Sequence, residues 1–157
     1  MAHETMKLYQ HPLSTFSRRV RIALLEKNVA IELAEVDMPA RAHRREPYIL
    51  LNPYGRVPTL VDGDLVLYES TAILEYIEAK LPEPPLLPRD LPQRALVAMN
   101  MKLCDLQMAR PAGIIIFSKR FVPEASWRLD EMTKAQHEVE KHFAILDRQL
   151  EGKTYLV

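Results

Sequence analysis

Apolar and polar residues alternate, or β-formers cluster, in two short stretches, MKLYQ at 6–10 and IELAEV at 31–36, and a helical RVRIALLEKN lies between them. This pattern predicts a β-α-β unit. The polar, basic stretch DMPARAHRREPYILLNPYG follows and reads as loop, short helix and turn. VPTLV and LVLYE are then separated by DGD, where Asp62-Gly63 signals a hairpin of two antiparallel strands. Over residues 69–81 the spacing puts Ile73, Leu74, Ile77 and Leu81 on one helical face and Glu75, Glu78 and Lys80 elsewhere. The order βαβαββα over residues 1–81 makes a complete small α/β domain.

The next segment, LPEPPLLPRDLP, is rich in proline, which fixes φ and removes a backbone donor, so residues 82–92 are expected to form a stiff linker. From Gln93 on, strand alternation disappears. Two long helices are predicted, roughly over 93–118 and 125–150, broken near Phe121-Val122-Pro123. Met101, Cys104, Met108, Pro111 and Ile115 share a helical stripe and read as core, with Cys104 a small core residue. GIIIF at 113–117 and the stripe Val139, Phe143, Leu146, Leu150 carry more apolar positions than one buried face covers. The helical domain, residues 93–157, is therefore expected to be partial, with apolar surface exposed or covered by a partner. The fold class is α/β plus all-α.

Composition narrows the function. With 21 Lys+Arg against 21 Asp+Glu the chain is formally neutral, and no basic stripe interleaved with aromatics occurs, which argues against nucleic acid as a partner. MAHETMKLYQ lacks the pattern of a signal peptide and no apolar run is long enough to span a bilayer; a cytoplasmic protein away from the membrane is expected. The single cysteine, Cys104, can form no internal disulfide. The histidines show no metal-ligand spacing, so no metal site is expected.

Three segments carry chemistry. Ser14, Thr15 and Ser17 crowd the start of the first helix, where one cap suffices. A further hydroxyl beside a helix N-terminus suits an anion, and a thiolate is the natural guest because a helix N-terminus lowers a thiol pKa. The chain has no cysteine there, so a substrate must bring the thiol. NPYGRVPTL places Pro58 at a strand start after a turn, the setting of a cis peptide that turns the backbone of Val57 toward an extended peptide ligand. YESTAI puts Ser70 and Thr71 at a helix N-terminus fit for a carboxylate, with Glu69 beside them for an ammonium.

HPLSTFSRRV, NPYGRVP and YESTAI, in this order and followed by a Pro-rich link to helices, resemble the glutathione S-transferase family. HPxS…RRV and HRREP are most like its serine-using phi-type members. The resemblance implies a thioredoxin-like domain plus an all-helical domain, usually as a homodimer, with glutathione as co-substrate. It implies Ser14 as the catalytic residue at the glutathione sulfur, Val57 with cis-Pro58 as the clamp on the cysteinyl unit, Glu69 and Ser70 as γ-glutamyl binders, and His43 and Arg44 near the glycine carboxylate. Arg56 stands where members commonly have glutamine, and its guanidinium is expected to donate to glutathione from that position. Members also continue beyond an LxGKxYLV segment into further helices, the second reason to expect a partial helical domain.

The resulting expectation is a detoxification enzyme that conjugates glutathione to small hydrophobic electrophiles, with peroxidase as a side activity. The alternative is a non-catalytic binding module of the kind found in stringent starvation proteins, since the same architecture serves both. A thiol-disulfide oxidoreductase needs a cysteine at the start of the first helix, and positions 11–20 have none.

Overall fold

The computed structural model describes residues 6–157. The chain divides into two compact units, one reaching to Leu87 and the other spanning Pro88–Val157. The first is the thioredoxin-like arrangement. It runs β1 (Lys7–Gln10), α1 (Thr15–Glu26), β2 (Glu32–Glu35), a 3-10 turn (Ala42–Arg44), α2 (Tyr48–Leu51), β3 (Thr59–Asp62), β4 (Leu65–Tyr68) and α3 (Ser70–Lys80). Sheet order is β2-β1-β3-β4, with β1 parallel to β2 and antiparallel to β3, and β3 antiparallel to β4.

Alternation along β1 sends Leu8 and Tyr9 to opposite faces. Leu8, paired in register with Leu60, meets Val20 and Leu24 of α1 and Ile73 and Ile77 of α3 in the main core. Both helices present residues at i and i+4, so each lays one stripe on the same side of the sheet. Leu8, Val20, Leu60, Ile73 and Ile77 are completely buried, each worth about 1.5–3 kcal/mol of transfer free energy. Tyr9 joins the second cluster, built on Val36, Tyr48 and Val57.

Lys27 caps the end of α1, and its Nζ donates to the carbonyls of Leu81 (2.6 Å) and Pro84 (2.9 Å). Glu78 accepts from the backbone N–H of Leu86 (3.1 Å) and Leu87 (3.2 Å). These bonds strap residues 81–87 to the α/β unit. The Val57-Pro58 bond is cis, as are Glu46-Pro47 and Glu83-Pro84, for which the sequence raises no expectation.

The second unit is helical: α4 (Leu91–Leu103), a π-helical segment (Cys104–Ala109), α5 (Arg110–Phe121), a 3-10 turn (Glu124–Ser126) and α6 (Leu129–Leu150). Asp90 caps α4 by accepting from the N–H of Gln93, and Pro92, two residues after the cap, sits in the first turn. Trp127 Nε1 donates to the Val122 carbonyl at 2.9 Å and holds the bend between α5 and α6. One expectation is corrected here: Cys104 is exposed, not core. Neither α4 nor the π-helical segment contains a buried residue, so this part of the stripe lies at the surface of the helical unit, while Pro111 further along it is buried. Ile116, Phe117, Phe121 and Phe143 are each about half exposed or more. Among the described residues no helix is long and apolar enough to cross a membrane.

Candidate active site

Strand register decides which loops meet. Tyr9 on β1 faces Thr59 on β3, and Thr59 faces Tyr68 on β4, while Gln10 faces Glu35 on parallel β2. The segment after β1 (to Ser14), the segment before β3 (Val57-Pro58), the segment after β4 (Glu69-Ser70) and the loop after β2 therefore all emerge at one end of the sheet. This end carries the carboxyl termini of the parallel strands, where open α/β sheets bind their ligands.

Ser14 is the N-cap of α1. Its backbone is extended (φ −77, ψ 117) and its Oγ accepts from the N–H of Ser17 at 3.2 Å. Ser17 is completely buried with no partner for its own hydroxyl among the described residues, and Thr15 is exposed. Ser14, half-buried, spends an acceptor lone pair on the cap and keeps its proton to donate.

Val57 and Pro58 are buried, and neither the N–H nor the C=O of Val57 pairs with another backbone group among the described residues. The turn leading to them is locked from below. Tyr48 Oη donates to the Arg56 carbonyl at 2.5 Å and lies 2.8 Å from Thr59 Oγ1. Asn52 Nδ2 donates to the same Arg56 carbonyl at 2.9 Å. Burial pushes the Tyr48 phenol upward, keeping it protonated. The Arg56 side chain itself is exposed, and only its carbonyl is held.

Glu69 is an exposed non-glycine residue at φ +69, a conformation costing of order 1–3 kcal/mol, and its carbonyl accepts from Ile73 N–H to start α3. Ser70, 3% exposed, follows as the first residue of α3. Its Oγ accepts from Arg19 Nε at 2.9 Å, which joins the N-terminal halves of α1 and α3.

His43 lies in the 3-10 turn and is buried; burial, then the charges of Arg44 and Arg41, hold its pKa below the ordinary value, so the ring is neutral at pH 7. Arg44 Nε donates to His43 Nε2 at 3.3 Å, which places the ring proton on Nδ1. Positive charge at this corner therefore rests on the exposed arginines, Arg44 and Arg56 among them. Gly55 (φ +57) closes the corner: a Cβ there would lie 2.9 Å from the His43 carbonyl oxygen.

The sequence reading missed Arg19, Tyr48 and Asn52. Arg19 stands in the SRRV motif with no role attached, and Tyr48 and Asn52 act on residues four to eleven positions away across a turn, a relation no local pattern encodes.

Residues 8–85 match the family described as glutathione S-transferase, N-terminal domain. The chain is 36% identical over 151 residues to glutathione S-transferase 1 of Dianthus caryophyllus, covering 95% of this chain and 66% of that protein. It is 37% identical over 157 residues to the stringent starvation protein A homolog of Coxiella burnetii, covering 97% and 67%. The crystal structure of glutathione transferase F7 from Populus trichocarpa matches it with a TM-score of 0.86 at 30% identity, over 96% of this chain and 73% of that one. The chain thus spans about two thirds of the length of these curated relatives. Fold, strand-end loops and sequence agree that the chain belongs to the glutathione S-transferase family.

Proposed function

We propose that this chain binds glutathione at the carboxyl end of the parallel strands and activates its thiol as the thiolate for attack on a small hydrophobic electrophile. The observation that carries the reading is Ser14. Its Oγ is already an acceptor from Ser17 N–H, so its own O–H is the donor left over at the N-terminus of α1. Lowering a thiol pKa by two units takes about 2.7 kcal/mol of preferential thiolate stabilisation. One charge-assisted hydrogen bond together with the helix dipole supplies that amount.

In this reading the backbone of Val57, unpaired among the described residues and ahead of cis-Pro58, forms antiparallel hydrogen bonds with the cysteinyl unit. Glu69 and Ser70 take the γ-glutamyl ammonium and carboxylate. Arg44 and Arg56 meet the glycine carboxylate, and neutral His43 shapes the turn that presents them. The electrophile provides the leaving group or acceptor carbon, and the protein contributes positioning and thiolate stabilisation. Peroxidase side activity, a detoxification role, a homodimeric state and a cytoplasmic setting accompany this proposal.

Calorimetric titration with glutathione, together with an absorbance assay of its conjugation to a chloronitroaromatic, tests the reading. Saturable binding and conjugation that rises with pH through the bound thiol pKa are expected. Absence of binding removes it. The likeness to the stringent starvation protein A homolog favours a second reading, a non-catalytic binding module. Glutathione binding without conjugation of any of several electrophiles would select that one.

A further inference from the structure

The geometry points to Arg19 as the positioning residue that sets Ser70 as a hydrogen-bond donor to the α-carboxylate of the γ-glutamyl unit; this rests on the glutathione reading above. A guanidinium has donors only, so at 2.9 Å from Arg19 Nε the Ser70 oxygen must be the acceptor. The single Ser70 proton is thereby turned away from Arg19. No other hydrogen bond of that hydroxyl occurs among the described residues, and Ser70 is the first residue of α3, where backbone N–H groups already favour an anion. The hydroxyl is thus aimed, before any ligand arrives, to donate where a carboxylate would sit.

Arg19 is itself held for this task. Its guanidinium carbon lies 4.9 Å from the centroid of the Phe16 ring, one turn back on α1, in cation-π range. A fixed cation behind the hydroxyl polarises its O–H bond and adds positive potential at the helix N-terminus. Arg19 reaches across from α1, the helix that Ser14 caps, to α3. Loss of the contact frees Ser70 to rotate its proton onto a local acceptor, and the carboxylate then meets a lone pair as often as a donor.

The test is a double-mutant cycle on the full chain, with Arg19→Gln, Ser70→Ala and the double variant. Each is titrated calorimetrically with glutathione and with an analogue in which the γ-glutamyl α-carboxylate is replaced by hydrogen. Arg19→Gln is expected to weaken glutathione binding by about tenfold, the effect of one charge-assisted hydrogen bond, while kcat at saturation changes less than KM. The double variant should bind no more weakly than the worse single one, and the analogue should bind wild type and Arg19→Gln alike. Arg19→Lys, which keeps the charge, should recover part of the loss and carries the measurement should Arg19→Gln melt at the assay temperature. Additive losses, or an equal loss with the analogue, overturn the role of Arg19 while leaving glutathione binding standing. A wild-type chain that binds glutathione no better than the analogue overturns the placement of the γ-glutamyl unit and this proposal with it.

Discussion

Lys27 Nζ lies 2.7 Å from Glu78 Oε2, with the lysine side chain fully shielded and the glutamate 10% exposed. A pair buried this deeply is costly to assemble and more costly to break, because removal of one partner leaves a desolvated charge. Burial pushes the Glu78 carboxyl up, but the hydrogen bond from Lys27, the Leu87 and Leu86 N–H groups and the Lys27 charge together outweigh it and hold the pKa below its usual value. Glu78→Gln should therefore destabilise the chain by about 3–5 kcal/mol at neutral pH in urea denaturation. A depressed folded pKa gives stability that is present above the unfolded carboxyl pKa and lost as pH falls through the lower folded value. The gap between wild type and Glu78→Gln should accordingly narrow on acidification; a gap independent of pH would refute the assignment.

Ser14 combines a cap and a donor, and two variants separate them. Ser14→Ala should cost about 1 kcal/mol of stability and lower conjugation by roughly ten- to a thousand-fold, with a smaller effect on glutathione affinity. Ser14→Asp keeps a capping acceptor but has no proton to give and repels a thiolate, so thermal melting should be near wild type while turnover is lost. Equal activity of wild type and Ser14→Asp would remove the donor role.

Tyr48→Phe removes one of two donors to the Arg56 carbonyl and leaves the buried Thr59 hydroxyl with Asn52 alone. A loss of about 1–2 kcal/mol of stability is expected, together with weaker glutathione binding at nearly unchanged kcat, since the clamp segment loosens while Ser14 stays in place. Denaturation midpoints and steady-state kinetics read both.

Two glycines should respond oppositely to alanine. Gly55→Ala puts a Cβ against the His43 carbonyl at a left-handed φ, and should destabilise by about 1–2 kcal/mol or more. Gly113 sits inside α5 with nothing within 4 Å of an added Cβ, and Gly113→Ala should stabilise by about 0.5–1 kcal/mol. Thermal melts of the pair are sufficient.

Much of this architecture was legible in local pattern. Ile73 and Ile77 announce the buried stripe of α3, and Asp62-Gly63 announces the hairpin, because helical and strand periods are properties of a few consecutive residues. Ser14, Pro58, Glu69 and Ser70 are legible for a related reason: each sits at the junction of an element with its loop, and junctions have residue preferences of their own. The cap at Ser14 and the cis bond before Pro58 belong to this class.

Tertiary structure alone decided the rest. Arg19 and Ser70 are 51 positions apart, and Lys27 Nζ reaches carbonyls 54 and 57 positions away. A long cationic side chain on a helix reads as a solvated face until the docking of that helix shows what lies within its reach. His43 reads as half of a basic pair, yet burial among the residues of its turn makes it neutral, and Cys104 reads as core yet lies exposed on a stretch of helix that buries none of its residues. Periodicity determines which residues can face inward; strand register and helix docking determine which polar groups meet. The latter depend on contacts between segments distant in the chain, which no window along the sequence contains.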